Sequence, residues 1–409
     1  MDTPERIVVV GGGLAAYTLG DALRSLGHRG EVVVIEKEPA MYDRPPLSKA
    51  AFAGDIALDG LAFASGGKLD ALGLRLLSGR TVVGIDPDAG AVTLDDGTVV
   101  EGDAVVLATG GSARRLALPG SDLPVVHVLR TFADALAIRA AAVPGARILV
   151  AGAGLIGAEL TASLRSRGVE VTLIDNVEVP LVPAVGQPLA ERLHAMHAAH
   201  GVDVRVATIS SLEAARHGWS AELSDGTALR IDAVVVGTGI VPNVELAEAA
   251  GLDVDNGILV DRDHRTSHPR VHAIGDVART RSTDGTLHRR EEHWEAARLD
   301  ALELAAVLVG QAPAPRGAGW WWSDRYDVHV EGVGRMTGDG TAVFRGEDVA
   351  FHLEGRLLVG AVSVNDPHAV RAARRLIDQR IPVEAAELAD PTLPLRELLR
   401  SARPAYAGR

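Results

Sequence analysis

The stretch Arg6-Ile7-Val8-Val9-Val10-Gly11-Gly12-Gly13-Leu14-Ala15-Ala16 decides the fold. Four consecutive β-branched residues read as a strand buried on both faces, the habit of a parallel sheet. The glycines end it in a tight turn. From Leu14 to Leu26 the apolar residues Leu19, Leu23 and Leu26 recur on one side of a helix. Val32-Val33-Val34-Ile35 is the next strand, ended by Glu36. Strand, glycine turn, helix, strand and acid form a βαβ unit.

The unit recurs. Arg147-Ile148-Leu149-Val150 is a strand, Gly152-Ala153-Gly154-Leu155-Ile156-Gly157 the turn, and a helix runs to about Arg167. Val169 to Ile174 is the following strand, ended by Asp175. Each copy is followed by an Asp-Gly hairpin signal, Leu94 to Thr98 in one and Leu223 to Thr227 in the other. Each hairpin leads into a buried strand closing on Thr-Gly: Ala104 to Ala108-Thr109-Gly110, and Ala233 to Thr238-Gly239. A whole fold unit is duplicated. The class is α/β, with two Rossmann-like dinucleotide-binding domains.

One GxGxxG is a weak signal. Here Gly11, Gly13 and Ala16 form one copy and Gly152, Gly154 and Gly157 another, each between a strand and a helix. The first glycine permits the turn. The second lets backbone approach a pyrophosphate, and the third lets helix and strand pack closely. The diphosphate sits on the helix N-terminus. Glu36 and Asp175 are placed to accept hydrogen bonds from ribose hydroxyls. Asp175 would repel a 2′-phosphate, and Asn176-Val177-Glu178 offers no arginine to counter it, so NADH is expected over NADPH. Two dinucleotides in one chain imply electron transfer between a flavin and a nicotinamide. The alternative is one site with a decayed copy.

Past Gly317 the texture changes. Trp320-Trp321-Trp322, alternating stretches such as Tyr326-Asp327-Val328-His329-Val330, a strand from Arg356 to Val364 and a helix from Ala369 to Gln379 read as a small α+β domain. Pro313 and Pro315 mark the linker.

Composition bounds the chemistry. The 409 residues exceed one core's usual size. A net charge of -13 argues against nucleic acid as partner. With no cysteine, disulfides, thiolate metal sites and dithiol redox chemistry are excluded. No stretch of about 20 apolar residues predicts a membrane span, and the N-terminus is too acidic and short for a signal peptide. A cytoplasmic location is expected.

Tyr42-Asp43-Arg44-Pro45-Pro46-Leu47-Ser48-Lys49 resembles the YxRPPLSK signature of the NADH:ferredoxin reductases that serve bacterial oxygenases and cytochromes P450. These are relatives of glutathione reductase and of apoptosis-inducing factor. The resemblance extends over essentially the whole chain. Ala273-Ile274-Gly275-Asp276 resembles that family's second FAD motif, whose Asp holds the ribityl chain. Arg290, Glu292, His293 and Trp294 resemble its R-x-E-H-W segment beside the flavin, and Trp322-Ser323-Asp324 with Tyr326-Asp327 its WSDQYD segment, whose Trp lies near the flavin edge.

The resemblance implies FAD on the first fingerprint and NADH on the second. It implies a discontinuous FAD domain of 1–117 and 242–316, an NADH domain of 118–241 and a C-terminal interface domain of 317–409. Lys49 and Glu159 are the implied charged pair beside flavin and nicotinamide. Cofactor-binding candidates are Gly11, Gly13, Ala16, Glu36, Arg44, Pro45, Lys49, Ala108, Thr109, Gly110, Gly152, Gly154, Gly157, Glu159, Asp175, Gly239, Asp276, His293, Trp294 and Trp322; no metal is expected. Several readings stay open. Glu159, read on the first turn of its helix, is also explained as a favourable N-terminal charge. His293 is also explained as a structural histidine, and Trp322 and Trp294 as packing or dimer aromatics.

The implied partner is a [2Fe-2S] ferredoxin. Such partners are usually acidic, so a local basic patch is needed, with Arg371, Arg374, Arg375, Arg289, Arg290 and Arg325 as candidates. The family has Gln where Arg325 stands. Rival readings are a rubredoxin reductase, an NADH oxidase, or a slow NADH-sensing flavoprotein. The chain is expected as a monomer or homodimer.

Overall fold

The computed structural model describes residues 3–54, 57–64, 66–216 and 218–401; Met1-Asp2 and the last eight residues of the expected C-terminal domain lie outside them. The chain forms two compact units. One comprises Met1–Pro46, Asp55–Ala113 and Ile240–Arg316; the other comprises Leu47–Gly54, Arg114–Gly239 and Gly317–Arg409.

In the first unit a five-stranded parallel sheet runs in the order Val271–Ala273, Ala104–Leu107, Arg6–Val10, Glu31–Glu36, Leu74–Ser78. Side chains alternate between its faces. Ile7 and Val9 pack with the helices Leu14–Ser25 and Trp294–Leu308. Val8 and Val10 pack with the antiparallel strands Val82–Asp86, Ala91–Leu94 and Val99–Glu101. Each of these four is at most 5% exposed, and burying each such side chain stabilises by about 1.5–3 kcal/mol.

The second unit repeats this at the level of register. Its parallel sheet is ordered Asp203–Val206, Glu170–Asp175, Arg147–Ala151, Ala233–Val236, Val126–Val128. Arg147 pairs with Glu170 as Arg6 pairs with Glu31, and Ile148 with Ala233 as Ile7 with Ala104. A shared device holds the first residue of each central strand. Asp103 accepts from the Arg6 N–H at 2.9 Å, and Asp232 from the Arg147 N–H at 2.8 Å.

The chain's C-terminal part, also in the second unit, is a five-stranded antiparallel sheet. Its order is Trp320–Arg325, Val328–Gly334, Leu357–Val364, Val349–Glu354, Thr341–Arg345, and the helix Pro367–Asp378 packs on it. Tyr326-Asp327 is not part of an alternating strand. Tyr326 takes φ +53° in the turn joining the first two strands. Trp320 and Trp322 stack at 5.0 Å between ring centroids, while Trp321, one residue out of phase, packs with the opposite cluster around Val330 and Val362.

Candidate active site

The first cradle lies in the first unit. Gly11 has φ +103°, and a β-carbon there would lie 2.4 Å from the Ala108 carbonyl oxygen. That close approach gives Ala108, at the end of its strand, a reason to follow the glycine turn. Thr109-Gly110 is clamped by Asn243, which the sequence reading missed. The Thr109 hydroxyl donates to the Asn243 carbonyl at 2.8 Å, and the Asn243 amide donates back to the Thr109 carbonyl at 2.8 Å. No local signal marks an asparagine 134 residues away.

Gly13 is the N-cap of the helix Leu14–Ser25, which has no side-chain cap and no acid in its first turn. Space over Gly13 is open to 4 Å, and Ala16 is buried. Among the described residues no side chain caps the orphan N–H groups of this helix end, which suits a diphosphate. The Glu36 carboxylate accepts from the Gly12 N–H and, at 2.8 Å, from the Glu38 N–H. Glu38 in turn takes the Tyr42 hydroxyl at 2.6 Å and Arg44 at 3.1 Å, ahead of the short turn that Pro45 opens. The Trp294 indole donates to Asp43 at 3.0 Å, tying two implied flavin segments together. Asp276 lies in the turn Gly275–Val277, and its carbonyl accepts from Arg290 at 2.7 Å. His293 caps the helix Trp294–Leu308 by accepting from the Ala296 N–H at 3.2 Å, and burial lowers its pKa.

The second cradle, in the second unit, has matching geometry. Gly152 has φ +102° and faces the Gly237 carbonyl, 2.5 Å from where a β-carbon would sit. At Gly157 a β-carbon would fall 1.9 Å from the Gly152 carbonyl oxygen, so helix and turn pack backbone on backbone. Gly154 caps the helix Leu155–Ser166 under open space, again without an acid in the first turn. Asp175 accepts from the Ala153 N–H at 2.7 Å and the Val177 N–H at 3.2 Å. Gly239, at φ +98°, accepts from the Arg114 N–H at 2.9 Å. The residues of both cradles fit a dinucleotide.

A charged cluster is built on the second unit's helix. Glu159 is not on the first turn. It is the fifth residue of Leu155–Ser166, buried to 5% exposure, so the helix-end explanation of its charge does not hold. One carboxylate oxygen takes Lys49 Nζ at 3.2 Å and the Asp324 N–H at 3.1 Å; the other takes the Ser48 hydroxyl at 2.6 Å. Lys49 also reaches Asp324 at 2.7 Å and lies 5.4 Å from the Trp322 ring centroid. Asp324 binds His329 Nδ1 at 2.5 Å, and His329 Nε2 binds Glu331 at 3.1 Å. Charges alternate along this chain from Glu159 to Glu331.

Residues 5–301 match the pyridine nucleotide-disulphide oxidoreductase family, and residues 320–399 match the reductase C-terminal family. The chain belongs to the pyridine nucleotide-disulphide oxidoreductases. It is 36% identical to rhodocoxin reductase of Rhodococcus erythropolis, covering 95% of this chain and 93% of that one. It is 37% identical to the anthranilate 1,2-dioxygenase system ferredoxin--NAD(+) reductase component of Burkholderia cepacia, over 96% and 98%. The covalent putidaredoxin reductase–putidaredoxin complex contains a chain that superimposes with a TM-score of 0.91 at 33% identity, covering 98% of this chain and 99% of that one.

Two members of the expected basic patch are turned inward in this oxidoreductase. Arg325 is 2% exposed, held by the Ser323 hydroxyl at 3.2 Å on the face that also carries buried Ser323. Burial lowers its pKa, against the pull of Glu159. The Arg290 side chain is 6% exposed, spent on Glu292 at 2.7 Å and the Asp276 carbonyl. Arg289, Arg371 and Arg375 remain exposed and Arg374 is partly buried.

The cluster carries a pH signature. Burial works against a charge on His329, but the hydrogen bonds it donates to the Asp324 and Glu331 carboxylates outweigh it and raise its pKa. A raised folded pKa gives stability that is complete below the unfolded value of about 6.5 and is lost as pH rises through the folded value. Wild type should therefore exceed His329→Gln in urea midpoint near pH 5.5, and the gap should shrink toward pH 9. A gap independent of pH would show that the imidazole is not held as a cation.

Proposed function

We propose that the chain is an FAD-dependent reductase that takes hydride from NADH and delivers single electrons to a [2Fe-2S] ferredoxin feeding an oxygenase or cytochrome P450. The observation that carries this is the pair of cradles with equivalent register, each with an open helix N-terminus and its own carboxylate. Full-length relatives bearing the names of ferredoxin and rhodocoxin reductases support the acceptor.

In this reading FAD is held on the first fingerprint by Gly11, Gly13, Ala16, Glu36, Ala108, Thr109, Gly110 and Asp276, with Arg44, Pro45, His293 and Trp294 beside it. NADH is held by Gly152, Gly154, Gly157, Asp175 and Gly239. When bound, flavin would supply the conversion of a hydride into two single electrons and a proton released to solvent. The domains are assigned as FAD-binding (1–117 and 242–316), NADH-binding (118–241) and C-terminal (317–409).

The protein's own work is positioning. Lys49 and Glu159 hold each other's charge, and Trp322 lies against the lysine. Asp175 prefers the unphosphorylated ribose. No helix among the described residues is long and apolar enough to cross a membrane, and a cytoplasmic setting is proposed with the function.

The test uses the purified protein, NADH or NADPH, candidate [2Fe-2S] ferredoxins and cytochrome c as terminal acceptor. Cytochrome c reduction should need both NADH and a ferredoxin. NADH consumption that ignores ferredoxin and follows oxygen would assign an oxidase instead.

A further inference from the structure

The turn Gly275–Val277 is held from outside itself. Gly275, at φ +73°, packs against the helices Leu14–Ser25 and Trp294–Leu308: a β-carbon on it would lie 3.2 Å from Ala15 Cβ and 3.6 Å from Ala297 Cβ. Its N–H donates to Asp300 Oδ2 at 2.9 Å. Asp300 lies on the helix Trp294–Leu308, and its other oxygen takes Arg316 at 2.7 Å. Arg316 also binds Glu303 at 3.1 Å and Glu291 at 2.9 Å. Glu303 binds His264 Nε2 at 3.0 Å, and the His264 carbonyl accepts from the Ala273 N–H at 3.1 Å, on the strand that enters the turn.

The network thus grips the turn at Gly275 and at Ala273. His264, Asp300 and Glu303 bring ligand atoms within 4.8 Å of one another, as a cation site would. The Arg316 guanidinium already bridges both carboxylates, so a metal ion would meet a fixed positive charge there. The cluster is a clamp.

We propose that Asp300 is a positioning residue for flavin, presenting the Gly275-Asp276 turn through the Gly275 N–H, with Arg316 as the cation that fixes its carboxylate. The inference rests on FAD occupying the first cradle. Neither residue belongs to a motif in the sequence, and Arg316 directly follows the linker proline Pro315.

The experiment removes flavin from the purified protein and titrates FAD back by quenching of its fluorescence. Thermal unfolding of each apoprotein is measured beside it. Asp300→Ala loses both the acceptor for Gly275 and the ion pair, and should bind FAD about tenfold more weakly or worse. Asp300→Asn keeps an acceptor oxygen and loses the ion pair. It should share the alanine variant's fall in apoprotein melting temperature while recovering most of the FAD affinity.

A purely structural role would move both readouts together. If Asp300→Ala does not fold, Asp300→Glu makes the comparison: it keeps the charge for Arg316, shifts the carboxylate off the Gly275 N–H, and should lose affinity with little change in melting temperature. Equal FAD affinity in wild type and Asp300→Ala, or in Asp300→Glu if the alanine variant does not fold, overturns the proposal. So does an Asp300→Asn variant as weak as Asp300→Ala. Wild-type apoprotein that takes up no FAD would overturn the functional reading itself, and this inference with it.

Discussion

Gly11→Ala is expected to purify as a colourless protein. Two effects combine at this position. A side chain at φ +103° costs on the order of 1–3 kcal/mol of backbone strain. The new β-carbon would also lie 2.4 Å from the Ala108 carbonyl oxygen. That neighbour is backbone just past the strand Ala104–Leu107, so no rotamer change relieves the clash. The turn must move away from Ala108-Thr109-Gly110, and the Gly12 N–H away from Glu36. Both are segments assigned to flavin. Absorbance near 450 nm after purification, compared with wild type, reads the result directly. A yellow variant with full FAD content would remove Gly11 from the cofactor site. Gly152→Ala is the internal comparison: its equivalent clash is with Gly237, so flavin should stay bound while NADH affinity falls.

Glu159→Ala and Lys49→Ala should both slow flavin reduction by NADH about 10–100-fold while leaving FAD in place. They should differ in stability. Glu159 is buried and serves three donors: Lys49, the Ser48 hydroxyl and the Asp324 N–H. Removing it takes one acceptor from each of these donors, although Lys49 keeps Asp324, and leaves buried Arg325 without its attracting carboxylate. Losing a hydrogen-bond acceptor at a buried site in this way costs about 1–3 kcal/mol. Lys49 is partly exposed, and the carboxylates it leaves behind keep other donors: Ser48 on Glu159 and His329 on Asp324. Stopped-flow bleaching of the flavin band under excess NADH measures the rate, and urea unfolding the stability. Unchanged reduction rates in both variants would leave the pair with a structural task alone.

The duplicated fold was legible because its determinants are local. A β-branched run, a glycine turn and an amphipathic helix are each written in adjacent residues, and the second copy confirms the reading of the first. The octapeptide ending at Lys49 was legible by resemblance. What sequence could not reveal depends on long-range contacts. Asn243 clamps Thr109 across 134 positions, and Asp300 reaches Gly275 across 25.

The other differences are local, in where a helix starts and which face of a strand is buried. The sequence reading puts Glu159 on the first helical turn because it counts everything through Gly157 as turn; the helix already starts at Leu155, directly after Gly154. Arg325 and Arg290 were read as surface charge because arginine usually is. The alternation of the strand Trp320–Arg325 puts Arg325 on the same buried face as Ser323. The Asp324–His329–Glu331 chain follows from strand pairing, which sets Asp324 opposite His329.

The most direct test of two cooperating nucleotide cradles is an anaerobic titration of the purified protein with NADH, followed at the flavin band. One FAD per chain should bleach with about one equivalent of NADH, and NADPH should do so far more slowly. A flavin-free protein, or a bound flavin that excess NADH leaves oxidised, would contradict the account.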